Sequence, residues 1–428
     1  MLGVGIDWAE EFHLVALGRP GGGVFEVARV EHTPAAVAAL VARIAALEPD
    51  PAEVRVVIET RHGLLVEALV DAGYTVLPVN PDLVARRRGP AKKKDDAEDA
   101  RIACLLALDQ YTELRALVPH GEMAGELRAI ARDDVRAARD ERRLLNRLRA
   151  DLAATFPAAL VIAGDELGSP VVLKLLRRWP TAGELAAAGR EEIEALARAA
   201  RHGWPHRFVD RVTQALAGEH FQARDYLVRA KADTIRLACA QLLLLREQRR
   251  SWERRMGELL LGDRRRGRAK QPGDQRGPAV PGGEIYLSFA GLGDRLAARI
   301  AGEIGDAIGQ FDTPNALQCY AGKAPVTRRS GKSELVVASR LACNRYLAEA
   351  VQQWAFTSLR HSGWAREFYD TQRNRGKKHH AALRALGNRW LEILWHCLTN
   401  GVPYDESVHV ANRNRALGRV DQPSKLAA

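Results

Sequence analysis

The stretch "LGVGIDWAEEFHLVAL", residues 2–17, opens the chain with a pattern typical of a β-strand. The glycine-rich turn "GRPGGG" leads from it into a second strand pattern, "VFEVARVEH". Two further strand patterns, "EVRVVIET" and "TVLPVN", then alternate with helical ones. A hairpin followed by alternating strands and helices predicts an α/β domain built on a sheet over residues 1–115.

Residues typical of helix ends predict two helices between these strands. Thr33 precedes "PAAVAALVARIAAL" and is predicted to cap that helix, with Pro34 at its first position. The segment "GLLVEALVDAGY" is predicted as a helix that ends at a glycine.

The rest of the chain is predicted to be mainly helical. Over residues 116–262 two long amphipathic segments, within 126–156 and 223–261, are predicted to pair as an antiparallel coiled coil. Residues 263–283 are rich in Gly, Pro and Arg and predict a flexible basic linker. Residues 284–405 are predicted as a mainly helical domain and 406–428 as a tail.

Charge and cysteine content narrow the class of protein. The 428 residues carry a formal net charge of +11, with the excess mostly on arginine, which favours a nucleic-acid partner over an anionic membrane surface. None of the five cysteines forms a CxxC pair, which indicates reduced thiols in a cytoplasmic protein. The expected nucleic-acid partner would make this protein nucleoid-associated. The N-terminus lacks a signal-peptide pattern, and no apolar run approaches membrane-spanning length.

Four carboxylates are candidates for a metal site. Asp7 and Glu59 lie on strand faces opposite the apolar residues, where an acid is costly unless it is paired or binds a metal. Asp96 and Asp99 stand three residues apart at a helix start and share one face. Oxygen-only sites of this kind suit hard cations, and two Mg²⁺ ions in such a site can hold a phosphodiester.

Each of these acids also has a structural interpretation. Asp96 and Asp99 alone are better explained as first-turn acids favoured by the helix dipole. For Asp7 a turn residue is the alternative, and for Glu59 a cap of the following turn. Their combined placement on two strands and a late helix favours the metal site. Asp95 and Glu98 point to other faces of the helix and are weaker candidates.

Two segments of the second half are candidate nucleic-acid contacts. Gly291 and Gly293 precede a helix, where backbone N–H groups could bind a DNA phosphate in a helix-hairpin-helix element, although an ordinary αα-turn explains them equally well. Ser330 lies in "TRRSGKS" among three basic residues, Arg328, Arg329 and Lys332. Taken alone, this segment is more typical of a phosphate-binding loop than of a nucleophile.

The motifs resemble those of the DEDD transposases of bacterial insertion sequences, family one-ten, relatives of the Piv DNA invertase. "GIDWAEEFH", "VVIETRHGLL" and "KKKDDAEDARIA" resemble its N-terminal domain, and "FDTPNALQCYAGKAPVTRRSGKS" resembles its C-terminal transposase domain. In the C-terminal pattern the matching positions are Phe311, Tyr320, Gly322, Pro325, Ser330 and Gly331. The sequence departs from the family in "SRLACNRYLAEA", where a glycine and a following arginine are missing.

The resemblance implies a fold and an activity. It implies an RNase H-like (RuvC-like) N-terminal domain in which the tetrad Asp7, Glu59, Asp96 and Asp99 binds Mg²⁺, and a nucleophilic Ser330. It implies a transposase or site-specific recombinase that cuts and rejoins donor and target DNA through a phosphoserine. A structured bridge RNA would guide it, and a homo-oligomer would share active sites between protomers.

Two rival functions stay open from the sequence. One is a Mg²⁺-dependent structure-specific nuclease that uses water, with Ser330 only binding phosphate. The other is an inactive DNA- or RNA-binding remnant, which the altered "RLACNRY" segment suggests.

Overall fold

The fold comes from a computed structural model that describes residues 1–88, 95–109, 114–119, 121–262, 279–306, 308–330, 333–337 and 343–416. For residues 327–330, 333–337, 414 and 416 it describes the backbone alone. The chain divides into two compact units, Met1–Pro119 and His120–Ala428. The first unit ends close to the predicted domain boundary at residue 115, and the other predicted boundaries stay predictions.

The N-terminal unit is built on a mixed five-stranded sheet. Its strands are β1 (Leu2–Asp7), β2 (Phe12–Arg19), β3 (Gly23–Glu31), β4 (Val54–Ile58) and β5 (Thr75–Pro78). Their order in the sheet is β3-β2-β1-β4-β5, with β1, β2 and β3 antiparallel and β1, β4 and β5 parallel. The opening stretch holds two strands rather than one, because the exposed residues 8–11 interrupt its apolar pattern.

Helices cover both faces of this sheet. They are α1 (Pro34–Leu47), α2 (Leu64–Asp71), α3 (Pro81–Arg88) and α4 (Asp96–Leu108). Thr33 caps α1 as predicted, since its hydroxyl accepts the Ala36 N–H at 3.2 Å, and Pro34 is the first helical residue. Buried residues of α1 and α2 share a core with Val4 and Val56, while α4 packs against Ala16 and Val57. The predicted α/β domain is therefore confirmed.

Two long helices organise the first part of the C-terminal unit. The elements are α5 (Glu122–Thr155), α6 (Pro157–Ala163), α7 (Pro170–Arg178), α8 (Ala182–Ala187), α9 (Arg190–Ala199), α10 (Pro205–Ala217) and α11 (Asp225–Leu261). Ion pairs join Glu126 to Arg255 and Asp151 to Lys231, so α5 and α11 run antiparallel. The antiparallel pairing was predicted; coiled-coil packing stays a prediction.

The last part of the chain is mainly helical with one hairpin. Its elements are α12 (Gly283–Ser288), α13 (Asp294–Ile304), α14 (Pro314–Tyr320), β6 (Val326–Ser330), β7 (Ser333–Val337), α15 (Arg345–Ser358), α16 (Gly363–Asn374), α17 (His379–Asn400) and α18 (Glu406–Ala416). One buried core collects residues from α12–α17 and from the facing ends of α5 and α11. A second core lies around α6–α10 and the other ends of the long helices.

The predicted linker and tail overlap ordered structure at their edges. Val280, within the predicted linker, is buried, and its N–H donates to the Leu259 carbonyl at 2.8 Å. The predicted tail from residue 406 starts with α18. Residues 263–278 and 417–428 of these two segments lie outside the described residues. Within the described part of the chain, no helix is long and apolar enough to span a membrane.

Candidate active-site residues

Asp7 and Glu59 lie at the same edge of the sheet. Asp7 is the last residue of β1, and Glu59 follows directly after β4. These strands are parallel neighbours in which Ile6 pairs with Ile58, so the two acids come next in register. Both side chains are half-buried. The carboxyl ends of two central strands thus carry two of the predicted metal ligands.

A glycine in β1 sets the position of Asp99. A Cβ on Gly5 would lie 2.0 Å from the Cys104 nitrogen and 2.1 Å from the Ala100 oxygen, so the backbone of α4 rests directly on β1. Asp99 precedes Ala100 on α4 and is 5% exposed. The sequence "GVG" therefore allows the close approach that brings the third carboxylate to the sheet.

Arg88, the last residue of α3, faces these acids. Its Nε donates to Asp99 Oδ1 at 2.8 Å, and its Nη2 contacts both oxygens of the same carboxylate. The hydrogen bonds from Asp99 raise the pKa of Arg88, and the charges of Glu59 and Asp7 raise it further. One guanidinium thus interacts with three of the four predicted ligands.

Arg88 was not among the residues singled out from the sequence. The available signal was the run Arg86–Arg88 at the end of a helix, shortly before the acidic segment. Such a run is more often a solvated face, and its side-chain directions depend on how α3 packs against α4. The acids could be predicted from their positions in strand and helix patterns, but the arginine that binds Asp99 could not.

Asp95 and Asp96 have different positions at the start of α4. Asp95 caps the helix, since its carboxylate accepts the Ala97 N–H at 3.1 Å. Asp96 is the first helical residue and is exposed. Capping gives Asp95 a structural role, which leaves Asp96 the better candidate of the two. Among the described residues, no group of three or more His, Cys, Asp or Glu side chains is arranged to hold a metal ion.

Ser330 is the last residue of β6. Its backbone pairs with Ser333 of β7 in an antiparallel hairpin. The side chains of Arg328, Arg329 and Ser330 are not described, and Gly331 and Lys332 lie outside the described residues. The predicted roles of these residues as nucleophile and phosphate contacts stay predictions.

Residues of the C-terminal motif before the hairpin take part in a hydrogen-bond network. Tyr320, at the end of α14, accepts a hydrogen bond at its hydroxyl from Asn344 Nδ2 at 2.8 Å. The same Nδ2 donates to Glu303 at 2.7 Å, and the Asn344 side chain caps α15 by accepting the Leu347 N–H. Gly322 has a φ of +63°, which glycine adopts without strain. Asn344, in the altered "RLACNRY" segment, therefore keeps a structural role.

The predicted phosphate-binding glycines pack in different ways. Gly291 has a φ of +80°, and a Cβ there would lie 2.7 Å from the Ser358 nitrogen. Its carbonyl accepts the Thr357 hydroxyl at 3.0 Å. Gly293 stands at the N-cap of α13 and is open on the side where a Cβ would point. Packing explains Gly291, and phosphate binding at both glycines stays a prediction.

Comparisons with known proteins extend over both units. A model of DEDD transposases of the IS110 group, described as "Transposase", matches residues 4–157. A second model, "Transposase IS116/IS110/IS902 family", matches residues 283–370. The "Mini-circle putative transposase for IS117" of Streptomyces coelicolor is 32% identical over 411 residues, which cover 94% of this chain and 95% of that protein. The chain belongs to the IS110 family of transposases.

Other relatives agree with this assignment. A 43.6 kDa protein of insertion element IS110 from Streptomyces coelicolor is 29% identical over 78% of each chain. A 42 kDa protein of IS900 from Mycobacterium paratuberculosis is 28% identical over 90% of this chain and 92% of its own length. Membership of the IS110 family makes this chain a transposase, an enzyme of DNA transposition. All four predicted tetrad residues and Ser330 fall within the two matched segments.

Proposed function

We propose that this IS110-family transposase cuts and rejoins DNA through a phosphoserine on Ser330, assisted by Mg²⁺ bound to the N-terminal unit. The observation that carries the proposal is the placement of Asp7 and Glu59 at one edge of the sheet, near the Arg88 guanidinium that binds Asp99. The strand order β3-β2-β1-β4-β5 is compatible with an RNase H-like, RuvC-like domain, in which acids at this edge of the sheet are the expected site.

The donor set fits a hard divalent cation. The carboxylates whose charges act on Arg88 offer only oxygen donors, which Mg²⁺ prefers. Asp7, Glu59, Asp96 and Asp99 would hold the metal, with Asp95 kept at the helix cap. When bound, Mg²⁺ would stabilise negative charge on the phosphate oxygens and favour loss of the serine proton. Arg88 would then give up its contact with Asp99, because guanidinium and metal compete for the same oxygens.

The covalent step belongs to Ser330. Its oxygen would form a bond to a DNA phosphorus as its proton leaves, and the bond from that phosphorus to one deoxyribose oxygen would break. The phosphodiester energy is kept in the phosphoserine, so a hydroxyl of a second DNA end can attack it and restore a DNA strand without ATP. Positive side chains near Ser330 would stabilise the pentavalent phosphorus.

The partners follow from the same family. Donor and target DNA are the substrates, and a structured bridge RNA of the element would supply sequence specificity through base pairing. A homo-oligomer that shares active sites would let the serine of one protomer act with the acids of another. Location at the nucleoid follows from the substrate.

Substitutions that remove a carboxylate charge in the N-terminal unit or the serine hydroxyl in the C-terminal unit test the proposal. Asp7→Asn, Glu59→Gln and Ser330→Ala should each abolish strand cleavage of the element's DNA ends in Mg²⁺ while leaving nucleic-acid binding and the melting temperature close to those of the parent. Asp50→Asn, at an exposed acid whose carboxylate accepts the Ala52 N–H, is the matched control and should cleave normally. A sharply lower melting temperature in Asp7→Asn would instead assign that acid to the fold.

The two rival functions correspond to other outcomes. Cleavage that survives Ser330→Ala but needs the acids and Mg²⁺ would indicate a nuclease that uses water. Binding without any cleavage by the parent, with its own guide RNA supplied, would indicate an inactive binding remnant.

A further inference from the structure

A basic cleft lies in the C-terminal unit between α16, α17 and α18, beside the residues that lead into β6. It encloses about 1000 Å³. Six of its lining side chains are basic and two, Glu367 and Glu392, are acidic, so the lining carries a net charge of +4. The basic residues are Lys323, Arg375, Lys377, Arg384, Arg389 and Arg413.

Lys323 is the buried cation of this cleft. It is 7% exposed, and its ammonium group donates to the neutral Gln352 Oε1 at 3.0 Å. Burial, together with the charge of the nearby Arg384, lowers the pKa of Lys323 to about 8. A buried ammonium beside a second cation is costly, and an anion in the cleft would remove much of that cost.

The two acids leave the positive charge of the cleft largely in place. Glu367 accepts from Arg413 at 3.0 Å and Glu392 from Arg389 at 2.8 Å. Six basic side chains against two acidic ones leave the lining positive. The half-buried Phe368 adds aromatic surface to the same lining.

The size and chemistry of the cleft fit a polymer better than a small anion. Its volume stands at the upper end of small-molecule pockets, which span roughly 300–1,000 Å³. Several cations in one groove match successive phosphates, while aromatic surface can receive sugars or bases. Lys323 and Pro325, both lining residues, come directly before β6, whose last residue is Ser330.

We propose that this cleft binds the sugar–phosphate backbone of a nucleic-acid strand beside the hairpin that carries Ser330. The inference rests on the proposed function for its substrate and adds the surface that holds it. Lys323, Arg375 and Lys377 are its phosphate-binding residues. The strand can come from DNA or from the guide RNA, since both present the same phosphodiester chemistry.

Fluorescence anisotropy with labelled oligonucleotides of about 12 nucleotides tests the cleft, in one arm with single-stranded DNA and in the other with RNA of the same sequence. Arg375→Gln/Lys377→Gln should weaken binding about tenfold at near-physiological salt and reduce the slope of log K against log salt by about one to two. Arg224→Gln/Arg229→Gln removes two exposed charges near the start of α11 and should change affinity less than about twofold. The arm in which the Arg375→Gln/Lys377→Gln variant loses more affinity shows whether the bound strand is DNA or RNA.

Equal losses of affinity in the two double variants, or no loss in Arg375→Gln/Lys377→Gln, would contradict nucleic-acid binding in the cleft. Photocrosslinking of the wild-type full-length chain to thio-substituted oligonucleotides gives a second answer that does not depend on any variant. Crosslinked peptides from within 323–325, 364–392 or 409–413 support the cleft, and crosslinks confined to other segments contradict it. Failure of the proposed chemistry is separate, because Ser330→Ala should keep this binding and a missing phosphoserine would leave the crosslinks unchanged.

Discussion

At the scale of single residues, Arg88 has the position that most affects the candidate metal site. It holds Asp99 directly and acts on Glu59 and Asp7 through charge. Because these acids repel one another, a cation among them stabilises the fold, and a divalent metal can supply that charge in its place. We therefore propose that the arginine and a divalent metal are alternative counter-ions for these carboxylates.

Arg88→Ala should lower the melting temperature in buffer with a chelator, because the buried Asp99 loses its counter-ion. Mg²⁺ or Mn²⁺ should then raise the melting temperature of the variant more than that of the wild type. Arg87→Ala is the control, since Arg87 is exposed and pairs with Asp109 at 3.5 Å. Equal metal-induced shifts in all three proteins, measured by scanning calorimetry, would show that Arg88 and metal do not compete.

The buried Lys323 should make the stability of the free protein depend on pH. Its pKa in the folded protein, about 8, lies below the ordinary value of 10.5, so the unfolded chain binds more protons between these pH values. Stability should therefore rise with pH in that window, by an amount on the order of 3 kcal/mol. Urea unfolding of the wild type against Lys323→Met measures the difference, and parallel pH profiles of the two proteins would contradict the buried charge.

Single residues also show how far the sequence could predict the site. Asp7 and Glu59 follow from strand patterns, because an acid directly after buried alternation is visible in the chain itself. Asp99 follows from its helix face. Arg88 and Lys323 depend on which helices approach each other, and a basic residue in a run or in a loop motif gives no local sign that it will be buried.

At the scale of elements, the crossing of α4 over β1 fixes the third carboxylate. Gly5→Ala should destabilise the protein by at least about 2 kcal/mol, because the new methyl group would meet the backbone of α4 at Ala100 and Cys104. Gly22→Ala, where a Cβ meets nothing within 4 Å, should change stability by less than about 0.5 kcal/mol. Urea denaturation of both variants gives the comparison, and a tolerated Gly5→Ala would mean that α4 can move away from the sheet.

Elements were predictable where the signal is local. Thr33 and Pro34 mark the start of α1 because capping and the fixed φ of proline involve neighbours in the sequence. The division of residues 2–17 into β1 and β2 was not predicted, since the four residues 8–11 can lie in a strand or in a connection. Tertiary pairing of β1 with both β2 and β4 decides between these two possibilities.

At the scale of the whole molecule, Glu303 links the long helix α5 to the C-terminal motif. It accepts from Arg132 at 2.6 Å and from Asn344 at 2.7 Å, and it is 3% exposed. Burial disfavours its charge, but Arg132, Asn344 and Arg128 together hold the pKa of Glu303 below its usual value. This network joins two segments that the sequence analysis had assigned to different domains.

Glu303→Gln should cost about 3 kcal/mol at pH 7, because two arginines lose their buried acid. The stabilisation is present above the ordinary carboxyl pKa of 4.5 and is lost as the pH falls below it, so the two proteins should converge in acid. Asp140→Asn, in the exposed pair with Arg143, should cost less than about 1 kcal/mol at either pH. A cost for Glu303→Gln that does not depend on pH would exclude the ionised acid as its source.

The most direct test of the central claim is a search for the covalent intermediate. Purified full-length protein would be incubated with the element's DNA ends, its guide RNA and Mg²⁺, denatured, digested and analysed by mass spectrometry, with Ser330→Ala in parallel. We predict a nucleotide-linked peptide that contains Ser330, absent from the variant and from samples with chelator. DNA that is cut without any protein-linked nucleotide would contradict the phosphoserine mechanism.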